Sequence, residues 1–176
     1  MTQVTFYPTG SGALTEILAQ QPGAGYHWEK VDDPSTDDAD YIYFDVQAPP
    51  IYQVYTDLFT FNPTVQGGRI NFVRICRRTQ APFAQPGYSA SVVRIGSTNY
   101  FSADHANTGA FGDLYDDFTV DPSTSAIWNW SNIYTMQFGV RLGNADYGYY
   151  VKCSRCYMIV DYTIDTQVED VSGWLY

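Results

Sequence analysis

Two of the three cysteines have the spacing of a metal-binding or redox site, Cys153-Ser-Arg-Cys156. The pair lies in a strand-like run, where side chains three residues apart point to opposite faces. A structural zinc site needs four ligands, and only Cys76, His27 and His105 could complete one. A thioredoxin-like motif would open a helix after a βαβ unit, which this sequence lacks. We therefore predict buried structural thiols, with a disulfide from Cys76 to one of the pair as the alternative.

The acidic segment DDPSTDDAD, residues 32–40, offers five carboxylates that could surround a calcium ion. The candidate ligands are Asp32, Asp33, Asp37, Asp38 and Asp40. The segment lacks the central glycine and the final bidentate glutamate of an EF-hand loop. We therefore predict a solvated turn, keep calcium as the alternative, and expect no other cofactor.

The two histidines, His27 and His105, stand outside any nucleophile motif such as GxSxG. The neighbouring carboxylates Asp116 and Asp117 would point to opposite faces of a strand, so they do not form a catalytic pair. A hydrolase would require two carboxylates that converge in a cleft. We assign no catalytic residue and expect a protein that is not an enzyme.

The composition favours β-structure. Tyr, Thr, Val, Ile and Phe supply 66 of the 176 residues, whereas Leu, Glu and Lys supply 11. Of the 19 acidic residues 16 are Asp, which suits turns better than helices. A net charge of −10 argues against nucleic acid or an anionic membrane as a direct partner. The N-terminal MTQVTFYPTG lacks the basic and apolar regions of a signal peptide, so we expect synthesis in the cytoplasm.

Short β-type runs recur between turn signals rich in Gly, Pro and Asp, which predicts an all-β sandwich or barrel. The predicted strands are Val4–Tyr7, Tyr26–Val31, Tyr41–Val46, Arg69–Arg77, Tyr88–Ile95, Asn99–Ser102, Phe111–Val120, Thr135–Leu142 and Tyr149–Ile164. No repeat or long linker divides the chain, so we expect a single domain over residues 1–176. Residues 1–25 would form an arm or first strand, and the tail 165–176 could dock on a neighbouring subunit.

Two of these strands carry finer patterns. In Thr135–Leu142 every even-numbered residue from Met136 onward is apolar, which predicts one buried face. In Tyr149–Ile164 the apolar positions change parity after Cys153, which predicts a β-bulge near Ser154–Arg155.

The segment AIWNWSN, ahead of the strand Thr135–Leu142, has the pattern of a helix start. Ser131 or Asn129 could cap one short helical turn near residues 131–136. Trp128 or Trp130 would then cover one end of the sandwich. We interpret this segment as a corner that sets strand register rather than as a binding site.

The segment RINFVRICRR, residues 69–78, is apolar at both parities and is rich in arginine, so we expect it to be covered on both sides. Arginine anchors protein interfaces through bidentate pairs with carboxylates. The candidate interface residues are Arg69, Arg74, Arg77, Arg78, Arg94, Arg141, Trp174 and Tyr176. The alternative is that these arginines balance aspartates on their own surface.

Aromatic residues make up 17% of the chain, and a core of this size need not absorb all of them. A surplus in YDDFTV, in DYGYY or in the tail DVSGWLY could form subunit interfaces or stack on sugar rings. For carbohydrate binding the candidates are Tyr147, Tyr149, Asp146 and Asn144.

Two long stretches resemble virion structural proteins of tailed phages and archaeal viruses. The first is DPSTSAIWNWSNIYTMQFGVRL followed by YYVKCSRCYMIVDYT, and the second is YHWEKVDDPSTDDADYIYFDV followed by GRINFVRICRRT. The stretch KCSRCYM departs from the Thr-Gln-Val-Tyr type more common in relatives, and Ser131-Asn132 stands where Ala-Asp is common.

The resemblance implies a single antiparallel β-sandwich of jelly-roll type on the virion exterior, without a catalytic centre. We therefore expect a non-enzymatic capsid decoration, or a component of a head, neck or tail fibre, made in the host cytoplasm. Its expected partners are capsid, connector or tail proteins and further copies of itself, with a trimer favoured. The alternative is a carbohydrate-binding module that recognises a host surface glycan.

Overall fold

Two antiparallel sheets of six strands each pack against one another and confirm the predicted all-β sandwich. The computed structural model describes residues 1–45, 53–64, 67–81, 87–144 and 150–164. The strands are β1 (Thr2–Phe6), β2 (Gly10–Thr15), β3 (Ala19–Gln21), β4 (Tyr41–Asp45), β5 (Gln53–Thr60), β6 (Arg69–Gln80), β7 (Gly87–Ile95), β8 (Thr98–Phe101), β9 (His105–Ala106), β10 (Gly112–Phe118), β11 (Gln137–Asn144) and β12 (Tyr150–Thr163).

Sheet A has the order β10-β6-β12-β4-β3, and β1 also pairs with β12. Sheet B has the order β2-β5-β11-β7-β8, and β9 also pairs with β7. The central strand of sheet A, β12, pairs with β6 on one side. On its other side it pairs first with β4 and then with β1.

The core lies between the sheets because, in strands of both sheets, every second residue is apolar and points inward. The even-numbered positions of β11, from Met136 just ahead of it to Leu142, are all buried, which confirms the predicted face. Across from them, the odd positions Val73 and Ile75 of β6 and the even positions Met158 and Val160 of β12 close the same cluster. This burial removes apolar surface from water and is the main stabilising term.

The predicted bulge in β12 is present. Its register against β6 shifts between Cys153 and Arg155, so Ser154 is the extra residue. Because the bulge changes the parity, Cys153 and Cys156 both face the core, where neither is exposed.

One short α-helix, α1, spans Trp130–Thr135 and confirms the helical turn expected near residues 131–136. The Asn129 side chain caps it by accepting the Asn132 backbone N–H at 2.9 Å. Both tryptophans are anchored beside this corner, because Trp128 Nε1 donates to Phe118 O at 2.8 Å and Trp130 Nε1 donates to Gly68 O at 2.9 Å. In the described ranges, no helix is long and apolar enough to cross a membrane.

The predicted strand Tyr26–Val31 is wrong. Residues His27–Lys30 form a 3-10 helix instead, because the Glu29 carboxylate turns back and accepts the Tyr26 backbone N–H at 2.8 Å. The sequence also failed to predict β2, β3, β5 and β9. Residues 1–25, expected as an arm or first strand, supply β1, β2 and β3, which pair with β12, β5 and β4.

We expect Gly139→Ala to lower the free energy of unfolding by about 1–3 kcal/mol, because the substitution overpacks the centre of sheet B. A Cβ at Gly139 would lie 1.9 Å from the carbonyl oxygen of Asp57 on the neighbouring strand β5. Urea unfolding followed by tryptophan fluorescence measures this change. The matched control is Gly67→Ala, since a Cβ at Gly67 would meet no atom of the described residues within 4 Å. Equal stability of the two variants would contradict the close approach of β11 and β5.

Candidate functional site

The outer face of sheet A concentrates basic and aromatic side chains, and we call it the arginine–tyrosine face. It is built mainly by β4, β6, β10 and β12, whose outward positions alternate with the core positions. The face comprises Tyr41, Phe72, Arg74, Arg78, Phe111, Tyr115, Tyr150, Lys152, Arg155 and Tyr157. Each of its four basic side chains lies over at least one aromatic ring, so the face is held together by cation–π contacts.

Arg74 occupies one half of this face. Its guanidinium lies 4.1 Å from the centre of the Tyr115 ring and 5.2 Å from that of Phe72. Its Nε and Nη2 donate to the two carboxylate oxygens of Asp117 at 2.6 and 2.7 Å. The hydrogen bonds to Asp117 raise the pKa of Arg74. The bidentate pair and the stacking fix the guanidinium plane, so this arginine is preorganised for contact with a partner.

Arg78 holds the acidic loop against the same face. Its Nε and Nη2 donate to the two carboxylate oxygens of Asp38 at 2.8 and 2.9 Å, and its Nη1 reaches Asp113 at 3.2 Å. The bulge residue Ser154 also donates to Asp38, at 2.9 Å. The hydrogen bonds from Arg78 hold the pKa of Asp38 below its usual range. Asp38, a candidate ligand under the calcium alternative, therefore serves to anchor its loop.

Lys152 and Arg155 complete the face on β12. Lys152 Nζ lies 4.0 Å from the centre of the Tyr41 ring and 4.7 Å from that of Tyr150. The Arg155 guanidinium lies 4.5 Å from the centre of the Tyr157 ring. Neither basic residue stood among the sequence candidates. Arg155 could have been found from the change of parity after Cys153, which turns residues 155 and 157 outward, and Lys152 from its place between the buried residues Val151 and Cys153.

The middle of the face is formed by Cys76, which lies opposite Tyr115 on β10 and Tyr157 on β12. Burial raises the pKa of the Cys76 thiol. Burial, together with the hydrogen bond to Cys76, raises the pKa of Tyr157 to about 12. Both groups are therefore neutral at physiological pH, and the charge on this face comes from the basic residues and the aspartates around them.

Other candidate arginines lie elsewhere. Arg69 is exposed and makes no ion pair within the described part of the chain. Arg94 donates to Asn99 at 2.8 Å on sheet B. Arg141 pairs with Asp104 at 2.5 Å and lies over the Phe101 ring at 4.5 Å, on the outer side of sheet B.

The prediction that Arg77 is an interface residue is wrong, because its side chain is wholly buried and cannot reach a partner protein. It points between the sheets, where Nη1 donates to Asp116 at 2.5 Å and to Ser91 Oγ at 2.7 Å. Nε donates to Ser89 Oγ at 3.0 Å and Nη2 to the Ser89 carbonyl at 3.1 Å. The guanidinium is therefore compensated entirely from within the sandwich.

The remaining sequence candidates are distributed as follows. Asn144 is buried at the end of β11, between Gln53 and Gly87 of the neighbouring strands. The candidates Tyr147, Tyr149, Asp146, Trp174 and Tyr176 lie outside the described residues.

Both histidines pair with a carboxylate. His27 Nδ1 lies 2.6 Å from Asp57 Oδ2, while Asp57 Oδ1 accepts the backbone N–H groups of Glu16 and Ile17 at 2.8 and 2.9 Å. His105 Nε2 lies 2.7 Å from Asp116 Oδ1. The first pair joins the 3-10 helix to β5, and the second joins β9 to β10.

The three cysteines are free and buried, which confirms the predicted structural thiols. Burial raises the pKa of Cys153 to about 12 and raises that of Cys156 well above its ordinary value. Among the described residues, no group of three His, Cys, Asp or Glu side chains could hold a metal ion.

The other carboxylates of the acidic loop each have different neighbours. Asp40 lies 3.7 Å from Lys30 Nζ, and Asp37 accepts the Ala39 backbone N–H at 2.8 Å. Burial raises the pKa of Asp32, and the nearby charges of Asp33, Glu29 and Asp40 add to this effect.

Neither the comparison with protein-family models nor that with curated proteins finds a match for this chain. The function is therefore inferred from the arrangement of the chain's own residues.

We expect the stability of the sandwich to fall in acid as Asp116 becomes protonated. Burial opposes ionisation of this carboxyl, but hydrogen bonds from Ser91 and Ser102 and the charge of Arg77 outweigh it, so the pKa of Asp116 is lowered. A carboxyl with a lower pKa in the folded state stabilises the protein above the unfolded pKa of about 3.9. This contribution is lost as the pH falls through the folded pKa.

The test is Asp116→Asn, which leaves the buried Arg77 without its counter-charge and should cost about 3–5 kcal/mol near neutral pH. Urea unfolding between about pH 7 and pH 2.5 should show the gap between wild type and variant closing in acid. The matched control is Asp117→Asn on the adjacent, partly exposed pair, with an expected cost of about 1 kcal/mol or less. A gap for Asp116→Asn that stays constant over this pH range would contradict the prediction.

Proposed function

We propose that this chain is a non-enzymatic structural protein of the virion exterior and that it binds another virion protein through the arginine–tyrosine face. The partner would be a capsid, connector or tail protein. The class of protein comes from the sequence resemblance, and the assignment of the binding face comes from the geometry of sheet A. The proposal assigns no reaction to the chain.

The observation that carries the choice of face is the clustering of stacked basic residues. The chain has only nine Lys and Arg residues and a net charge of −10, yet Arg74, Arg78, Lys152 and Arg155 share this one surface. Arginine and tyrosine are enriched at protein interfaces, where they supply large contacts at low cost in conformational entropy.

The internal ion pairs agree with the alternative considered for these arginines, that they balance aspartates of their own chain. Pairing does not remove them from the surface, because the Arg74 and Asp117 side chains are 28% and 32% exposed. Tyr115, which stacks on Arg74, is 57% exposed. A rigid, half-exposed set of this kind offers a partner both ring surface and hydrogen-bond donors without further ordering.

We also infer that the sandwich is a jelly roll, and nested strand pairing supports this. β7 pairs with β8, β6 with β10, β5 with β11 and β4 with β12, all antiparallel. These pairs lie alternately in sheet B and sheet A, so the chain runs as one folded ribbon that wraps around the core. Wrapping of this kind is the connectivity of a double-sheet jelly roll.

The binding proposal predicts that purified particles of the virus that encodes this chain carry it on their surface. Immunogold electron microscopy with an antibody against the chain should label intact particles. Particles that lack the chain should bind the purified protein in a co-sedimentation assay. Absence of both labelling and binding would contradict the virion assignment.

Within the same assay, the double variant Arg74→Ala/Tyr115→Ala should bind particles at least about tenfold more weakly, because it removes one of the stacked pairs of the face. The matched control is Arg141→Ala/Phe101→Ala, which removes the same kind of pair from sheet B. Equal loss in both double variants, or loss in the control alone, would place the binding surface elsewhere.

The second expected property is self-association, with a trimer favoured. Size-exclusion chromatography with light scattering at physiological salt should give three times the chain mass of 19.9 kDa. A mass that stays at one chain over the accessible concentration range would contradict the trimer while leaving the particle-binding result to be judged on its own.

A further inference from the structure

We propose that a small recess at the edge of the sandwich binds a neutral, hydroxyl-rich ligand of about one sugar ring, such as the end unit of a glycan. The recess has a volume of about 180 Å³ and lies between the residues after β9 and the start of β10. It is lined by Thr79, Ala106, Asn107, Thr108, Gly112, Asp113 and Leu114. Apart from Asp113, which also contacts Arg78, it shares no residue with the binding proposed for sheet A, and it does not depend on that proposal.

The recess runs from the surface to the buried polar layer between the sheets. Ala106, Thr108 and Asp113 are exposed and form its rim, whereas Thr79 at its base is 1% exposed. Thr79 Oγ1 donates to Asn107 Oδ1 at 2.8 Å, and Ser89 Oγ donates to the same oxygen at 2.9 Å. The wall is therefore polar and is fixed in position by hydrogen bonds.

One amide group in this wall lacks a partner. Asn107 Nδ2 is buried and makes no hydrogen bond within the described part of the chain, although Oδ1 of the same amide accepts two. Exchanging the amide atoms would leave the oxygen unpaired instead, so one end of the amide is unsatisfied in either orientation. A buried polar group without a partner destabilises the folded protein.

The rim supplies acceptors that suit hydroxyl groups. Thr108 Oγ1 donates its proton to Ala110 O at 2.8 Å, which leaves the lone pairs of that oxygen to accept from a ligand. Asp113 Oδ2 accepts from Arg78 at 3.2 Å, while no hydrogen bond to Oδ1 is found among the described residues. A hydroxyl can donate to these oxygens, so a ligand with several hydroxyls matches the rim.

The volume of the recess and the charge around it narrow the class of ligand further. A recess of about 180 Å³ is small, and one sugar ring is the size of ligand unit that suits it. Asp113 on the rim and the overall charge of −10 disfavour an anionic ligand. The polar lining disfavours a purely apolar ligand, because its donors and acceptors would lose their partners on desolvation.

The central variant for a test is Gly112→Leu. A Cβ at Gly112 would lie 3.7 Å from Thr108 Oγ1, which is an ordinary contact with another lining residue, so a longer side chain enters the recess without a clash at its base. The matched control is Gly67→Leu, since within the part of the chain that the structure describes a Cβ there meets nothing within 4 Å. Thr108→Val provides a second variant that keeps the side-chain shape and removes the hydroxyl. Circular dichroism and thermal unfolding establish that each variant is folded.

The measurement is saturation-transfer difference NMR with glucose, galactose, mannose and N-acetylglucosamine, each titrated separately, and with acetate as the anionic probe. We expect a saturable signal from at least one sugar with the wild type and with Gly67→Leu. The affinity for that sugar should fall at least tenfold in Gly112→Leu and about tenfold in Thr108→Val, the effect of one lost hydrogen bond. Acetate should give no saturable signal.

Three results would overturn the proposal. The first is that no sugar gives a saturable signal, which would leave the recess as a water-filled space. The second is a sugar affinity that Gly112→Leu does not change, which would place the sugar site elsewhere. The third is a saturable acetate signal that is lost in Gly112→Leu, which would make the recess an anion site.

Discussion

The buried guanidinium of Arg77 is the constraint on which one end of the sandwich depends. A charge placed between two sheets without water must be surrounded by hydrogen-bond acceptors, or the fold loses several kcal/mol. Ser89 and Ser91 of β7 and Asp116 of β10 supply these acceptors, so β6, β7 and β10 are tied in register around one group. Asp116 in turn holds His105, which fixes the short strand β9.

The same network explains why the edge of the sandwich is polar. The Ser89 hydroxyl that accepts from Arg77 also donates to Asn107, and Asn107 lines the recess beside β10. An apolar edge could not have satisfied the arginine. One wall of the recess therefore belongs to the same hydrogen-bond network as the groups that compensate the buried charge.

The fold could be predicted from the sequence in those strands where apolar and polar residues alternate regularly. The even-numbered face of β11 and the bulge at Ser154 both follow from period-two alternation. The strands β2 and β3 were missed because they are short, polar or glycine-rich pieces that pair only through tertiary context. The segment after Tyr26 was predicted as a strand from its composition. Its conformation is decided instead by the local hydrogen bond that the Tyr26 backbone N–H donates to the Glu29 carboxylate.

The candidate binding face could be predicted only in part, because it depends on the parity of β6. Because the sequence of β6 is apolar at both odd and even positions, it does not indicate which of its arginines point outward. In the sheet, Arg74 and Arg78 lie on the even side and Arg77 on the odd side.

A slip of one residue in the register of β6 would bury Arg74 and Arg78 and expose Arg77, with every compensating serine and aspartate misplaced. The extra residue Ser154 opposes such a slip, because its hydroxyl binds Asp38 and joins β12 to the carboxylate that Arg78 holds. The register that buries one arginine is therefore the register that builds the arginine–tyrosine face, and neither can change without the other.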